Sequence, residues 1–416
     1  MSHHADASRH RANHPFIFES HDAYPHSKTN YGVFQEHQNV NITDMPCESS
    51  IPPTTSLSSR AFSGSNFVDF EIPKLNILKS ATLCMEIVNN CPINKLQLPV
   101  AFNLIDRFEI YFGSTLVETV LSEALYINHC TNNTIEQRKM LQNSSNVDHD
   151  TYDNHAVLAV VDPNGTEVKE LYIRLYSLLS NSNLFLPGIL EDIRVRVHFS
   201  AYSKWGLQPI TGLYAVPTIE PVLQKAEIRL QHVILADHNY KKMQNLYRTN
   251  QINIKYLDHR FQSYSIFAQN NVSINHVLSS INGLISHMYI LMREQNCKGW
   301  SQLDFKKINR FFLTDSSGSN IHNGIQYSND YIRSIYAADH FDHTNFCSVK
   351  PVYPIAFSND IHTTVNTSNC LGARHFTSQE QLWILPGSTG SYEILILTYA
   401  HAQLHIKEGQ VSVSRS

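Results

Sequence analysis

The sequence predicts an all-β protein built from two similar sandwiches, and three observations carry that expectation. First, segments of strict alternation recur. Phe108, Ile110 and Phe112 alternate with Glu109 and Tyr111, the period-two pattern of a half-buried strand, and a Gly113-Ser114-Thr115 turn follows directly. Second, the chain repeats itself: about 200 residues on, Ile308, Asn309, Arg310 and Phe311 reproduce the order of Ile105, Asp106, Arg107 and Phe108, again with apolar residues and a small polar turn behind them. Ile193 to Phe199 and Glu393 to Tyr399 form a second pair at nearly the same offset, so each is expected to close one half. Third, aromatics make up 10% of the 416 residues and charged side chains only 16%, a balance that favours strands and polar loops over long surface helices.

Length and charge bound the rest. A chain of 416 residues exceeds what one hydrophobic core holds, so two domains are expected. The formal net charge of −4, with no useful run of Lys or Arg, argues against sequence-specific nucleic-acid binding. The seven cysteines, Cys47, Cys84, Cys91, Cys130, Cys297, Cys347 and Cys370, are scattered, odd in number and lack a CxxC pair; they read as reduced thiols. No charged-then-apolar leader and no apolar run of membrane-spanning length occurs, so neither secretion by that route nor integral insertion is expected.

In chain order, residues 1–60 are rich in Pro, Ser, Thr, Asn and His and read as a flexible N-terminal arm that orders, if at all, on partners. A first sandwich is expected over 61–203. It holds Phe67 to Ile72, Ala81 to Val88, Phe108 to Phe112, Leu171 to Leu175 and Ile193 to Phe199, with a polar insertion from Ser122 to Asp162. The stretch 204–221, with Trp205, Pro209, Pro217 and Pro221, reads as a connector. A second sandwich is expected over 222–408, opening with Ala226 to Val233. Ile252 to Tyr256 and Tyr264 to Phe267 follow, then Ser286 to Met292, an apolar run suited to a strand buried on both faces. Residues 409–416 form a short tail.

The chemistry-bearing clusters give no site. Asp148 to His155 and His340-Phe341-Asp342-His343 match neither a calcium loop nor a zinc spacing, and the arm histidines (His3, His4, His10, His14, His21, His26) fit no defined metal centre. No G-x-S-x-G elbow, phosphate-cradling glycine loop or H-E-x-x-H is present. No catalytic, cofactor-binding or metal-ligating residue is therefore assigned, no cofactor is expected, and an enzyme is not expected.

Several blocks, taken in order, resemble a known family. Asn66 to Phe70 with Leu83 to Ile87, Pro99 to Gly113, Asn181 to Gly188 followed by Ile193 to Val197, Lys225 to Leu235, Ile252 to Ile266, and Tyr392 to Ile406 are similar to successive blocks of double jelly-roll major capsid proteins of the Polinton-like and adintovirus type, in the adenovirus hexon lineage. The resemblance covers roughly residues 60–410, and the Asn-, Ser- and His-rich loops depart from it. It implies two eight-stranded jelly rolls side by side and a homotrimer presenting six similar rolls to an icosahedral shell. It also implies a virion location after assembly inside the host cell. The partners implied are neighbouring capsomers and minor capsid or penton proteins, and indirect contact with an inner membrane is compatible with it. In that trimer the long polar stretch from Asp315 to Gln379, with His340, Phe341, Tyr353 and Phe357, is expected at the top or between subunits. Two other readings share the strands: a carbohydrate-binding or carbohydrate-active sandwich, and a minor capsid or vertex protein.

Overall fold

The computed structural model describes residues 45–57, 60–64, 66–74, 77–88, 94–96, 100–131, 168–181, 184–186, 190–202, 207–209, 220–295, 303, 305–321, 327–341, 350–358 and 373–415. The cluster from Asp148 to His155, the arm histidines and four of the cysteines (Cys91, Cys297, Cys347, Cys370) lie outside them.

The first half contains β1 (Met45–Ile51), β2 (Phe67–Ile72), β3 (Ile77–Val88), β4 (Asn94–Leu96), β5 (Ile105–Phe112), β6 (Thr115–Leu121), β7 (Val168–Arg174), β8 (Leu184–Phe185), β9 (Ile193–Phe199), β10 (Leu207–Pro209) and β11 (Val222–Ile234). The second contains β12 (Ile252–Ala268), β13 (Ile274–Val277), β14 (Asn282–Glu294), β15 (Ile308–Thr314), β16 (Tyr327–Ser328), β17 (Tyr353–Ala356), β18 (Arg374–Thr377), β19 (Gln381–Pro386), β20 (Gly390–Lys407) and β21 (Gln410–Arg415). The main sheets run β1-β11-β3-β7 and β2-β9-β5-β6, then β12-β20-β14-β17 and β13-β19-β15-β16. With β4, β8, β10, β18 and β21 set aside, each half has eight strands in the order first-eighth-third-sixth facing second-seventh-fourth-fifth. That order is a jelly roll, here present twice.

Alternation explains why these segments are strands. In β9, Ile193, Val195, Val197 and Phe199 point into the sandwich, while Arg194, Arg196 and His198 point away. Outside, Arg196 grips its cross-strand neighbour Asp69 through two hydrogen bonds of 2.7 and 2.9 Å. Gly113 turns β5 into β6 at φ +55°, a left-handed conformation that a side chain would strain. The run Ser286 to Met292 is buried at every position, as its sequence predicts.

Glu109, on the outer face of β5, accepts from Tyr111 Oη at 2.7 Å and Arg107 Nε at 2.9 Å, with His198 Nε2 3.1 Å away. Burial alone would raise its pKa. The hydrogen bonds outweigh burial and hold the carboxyl at about 2, below its ordinary 4.5. Because the folded value lies below the unfolded one, this contribution is complete above pH 4.5 and is lost as the pH falls from there towards 2. Melting temperature against pH should fall more steeply over that window for the parent chain than for Glu109→Gln; parallel curves would remove Glu109 from the acid response.

Several expectations change. β11, expected to open the second sandwich, pairs with β1 on one side and β3 on the other, so it is the eighth strand of the first roll. β1 itself lies inside the expected arm. The composition break at 204–221 comes before that last strand in the sequence, and the chain passes to the second roll through the helix Asp237–Thr249, which buries Asn239, Met243 and Tyr247 along one stripe. The repeat of β5 in β15 holds, since both are fourth strands. The second pair does not: Ile193 to Phe199 is a seventh strand, whereas Glu393 to Tyr399 belongs to the eighth. Alternation is common to all strands, so it cannot tell which strand is which. Ile252 to Tyr256 and Tyr264 to Phe267 are one strand, β12, paired with β20 from Ile252↔Ile406 to Ala268↔Gly390. Lastly, the stretch from Asp315 to Gln379 contains β16, a helical segment from Asn329 to His340, β17 and β18, and its Phe341, Tyr353 and Phe357 belong to the chain's own core. The expected tail likewise adds β21 to the edge of β20.

These pairings make one truncation informative. A chain starting at Met45 keeps the seven β1–β11 residue pairs and the buried Ile51, whereas one starting at residue 56 loses both and leaves β11 as an open edge. The shorter chain should melt lower and aggregate more readily in a side-by-side thermal scan. Equal melts would show that β1 is dispensable.

Candidate functional site: the seam between the rolls

A buried polar network lies where the two rolls meet. The seam starts from a bulge. Ile110 pairs with Glu118 and Tyr111 with Leu116, so Val117 is an extra residue in β6 and its carbonyl is left outside the ladder. That carbonyl accepts from Tyr256 Oη at 3.1 Å and Arg415 Nη2 at 3.0 Å, both from the second roll. Arg415 also holds the buried Asp258 at 2.8 Å, tying the last strand into the joint.

Glu118, next to the bulge, is fully buried with 0% exposure, and both its oxygens are used. The Leu178 amide donates to one at 2.9 Å and His259 Nδ1 lies 2.7 Å from the other. The neighbours fix the tautomer of His259. Tyr399 Oη donates to Asn128 Oδ1 at 2.8 Å, which turns the Asn128 amide nitrogen toward His259 Nε2 at 3.2 Å. Nε2 then accepts and Nδ1–H donates to the carboxylate. The His287 ring stacks on Tyr399 at 4.1 Å, and burial drives the Tyr399 hydroxyl pKa upward, so it stays a neutral donor.

Asn128 sits on the helix Ser122–Thr131, which follows β6 without a break and is buried on every side. Its start is pinned by the Ser122 hydroxyl, which donates to the Phe102 carbonyl. From its first turn Glu123 reaches Arg293 of β14, whose Nε also holds Glu393 of β20 at 2.7 Å. Burial opposes the Arg293 charge, but the two carboxylates outweigh it and raise its pKa above the ordinary arginine value.

The second-roll sheet is thus covered twice, by its own sandwich and by the first-roll helix, which is why β14 reads as a continuous apolar run. The sequence signalled that double burial but not the partner. Glu118, Glu123, Asn128, His259, Arg293 and Tyr399 sit in no local motif, and the one clue in the sequence is a charged Arg293 at the end of an apolar run. The arrangement is a lock: its acids, bases and amides engage one another, and Glu118 and Asp258 are closed off from solvent.

The other sequence clusters stay apart from the seam. Among the described residues no group of three or more His, Cys, Asp or Glu is placed to hold a metal ion. His340 stacks on Tyr336 at 4.1 Å with Nδ1 3.0 Å from the Tyr336 carbonyl; Asp342 and His343 lie outside the described residues. Cys47 and Cys84 are free thiols. Among the described residues no helix is long and apolar enough to cross a membrane.

No family model matches the sequence, and no curated protein matches it. Solved structures do match in fold. The PBCV-1 virus capsid aligns with a TM-score of 0.63 at 10% identity, over 90% of this chain and 97% of its own. The Faustovirus major capsid protein gives 0.61 at 8% identity, over 89% and 92%, and the mavirus major capsid protein 0.51 at 9%, over 88% and 90%. Along nearly its whole length, therefore, this chain has the tandem jelly-roll fold of these viral capsid proteins.

Proposed function

We propose that this chain is a structural major capsid protein, without enzymatic activity, that assembles as a homotrimeric capsomer in an icosahedral shell. The carrying observation is the seam: two rolls of one topology, joined by a buried polar lock, make a rigid block whose remaining faces are available for assembly. Three such blocks present six similar rolls, a pseudo-hexagonal tile. Obligate interfaces of this kind typically bury more than about 2,000 Å². The chain's partners are then its own copies, neighbouring capsomers and minor capsid or penton proteins. Contact with an inner membrane is indirect, and its location is the virion after assembly inside the host cell. The net charge of −4 fits a shell that does not read nucleic-acid sequence.

No observation favours the carbohydrate reading, which needs carboxylates converging in an open cleft; at the seam Glu118, Glu123 and Glu393 are held by His259 and Arg293. Sedimentation velocity tests the proposal, with a trimer expected at micromolar concentration and the protein dominant by copy number in purified particles. A stable monomer that binds saccharide would replace the capsid reading.

A further inference from the structure

The helix Asp237–Thr249, which carries the chain from the first roll to the second, spends its apolar stripe on the core. Asn239, Met243 and Tyr247 are buried along it, with the half-buried Tyr240 and Leu246 on its flanks. The opposite face is polar and cationic. Lys241, Asn245 and Arg248 follow one another at steps of four and three residues, so they form a row along it, and Lys242 stands beside the row. Lys241 and Arg248 are then about 10 Å apart on the helix axis. All four side chains are exposed.

These cations are spare. On the sheets, Arg107 is taken up by Asp106 and Glu109, Arg196 by Asp69, Lys225 by Glu86 and Glu227, and Arg293 by Glu123 and Glu393. Lys241, Lys242 and Arg248 have no ion-pair partner among the described residues. The one acid of the helix, Asp237, opens its first turn, at the far end from Arg248. Where β12 begins, its partner β20 ends in Lys407, and the Glu408 that follows cancels that charge. In a chain of net charge −4, the helix is thus a local field of the opposite sign.

A row of exposed cations attracts any phosphate surface, and the apolar residues decide which. A helix that lies on a bilayer buries its apolar face between headgroups and acyl chains, and here that face is already sealed inside the protein. The backbone of a nucleic acid asks only for cations and polar donors, and Asn245 adds an amide to the row. We infer that this helix face holds the phosphate backbone of a nucleic-acid duplex, without reading its bases, and is the part of the capsomer turned toward the enclosed genome. A DNA duplex carries one charge about every 1.7 Å, so the row meets several phosphates whatever the sequence. This rests on the capsomer reading and assigns its inner side.

The test titrates the full chain into a short fluorescent DNA duplex of mixed sequence, in a salt series, with sedimentation velocity alongside. Three phosphate contacts should raise the Kd about fortyfold between 50 and 200 mM salt, equally for an unrelated sequence. Lys241→Gln, Lys242→Gln and Arg248→Gln combined alter exposed, unpaired side chains, so melting temperature and assembly should match the parent while duplex affinity at low salt falls at least about tenfold. Lys307→Gln with Arg310→Gln, which removes exposed cations from the second roll, should leave affinity unchanged. A triple variant that binds like the parent, a control that weakens binding as much, or a parent that binds phosphatidylserine vesicles and ignores the duplex overturns the inference. If that parent still sediments as a trimer, the capsomer reading stands. A parent that never assembles overturns the capsomer reading and, with it, the assignment of an inner side.

Discussion

Val195→Asp should leave the chain insoluble. Val195 lies mid-strand in β9, at the centre of its sheet, opposite Phe70 on one side and Ile110 on the other, and all three are fully buried. The substitution forfeits roughly 1.5–3 kcal/mol of apolar burial. It also places a carboxylate where no donor reaches it, at a further cost of several kcal/mol. Together these approach the whole stability of a typical domain, about 5–15 kcal/mol. Arg194→Asp, one residue away on the outer face, changes a side chain that is already 39% exposed and should be mild. Arg196→Asp should fall between, since it removes the paired grip on Asp69 and sets two acids side by side. Soluble yield and urea unfolding rank the three; equal losses would mean the alternation does not separate core from surface.

That ranking could be written from the sequence because a strand advertises its two faces in its own letters. The same holds for β5, for β14 and for the fourth-strand repeat between β5 and β15. What the letters do not carry is the partner. β11 alternates from Ala226 to Gln231 much as β9 does, yet nothing in those letters says that it inserts between β1 and β3. The helix Ser122–Thr131 falls within the expected polar insertion from Ser122 to Asp162 because Ser122, Glu123, Asn128 and His129 are polar. They are buried because the second roll and Phe102 supply their hydrogen-bond and ring partners. Phe341, Tyr353 and Phe357 were obscured for a similar reason, as short apolar signals set between long polar runs.

Arg293→Ala should be the most damaging single change at the seam. Truncation leaves Glu123 buried on a buried helix with its cation gone, and breaking such a pair from one side costs about 3–5 kcal/mol. Glu393 suffers less, because its side chain is 28% exposed and water can replace the guanidinium. The desolvated charge therefore decides the outcome, and the attraction lost is secondary. It follows that Glu123→Leu combined with Arg293→Leu should recover most of the loss, since an apolar pair of similar bulk has no charge to desolvate. The location of the damage carries the structural point. Because Glu123 belongs to the first roll and Arg293 to the second, hydrogen exchange should quicken in Ser122–Thr131 as well as in β14 and β20. A variant that melts like the parent, or that loosens β14 while the helix stays protected, would show that the two rolls stand independently and that the seam is not what makes them one block.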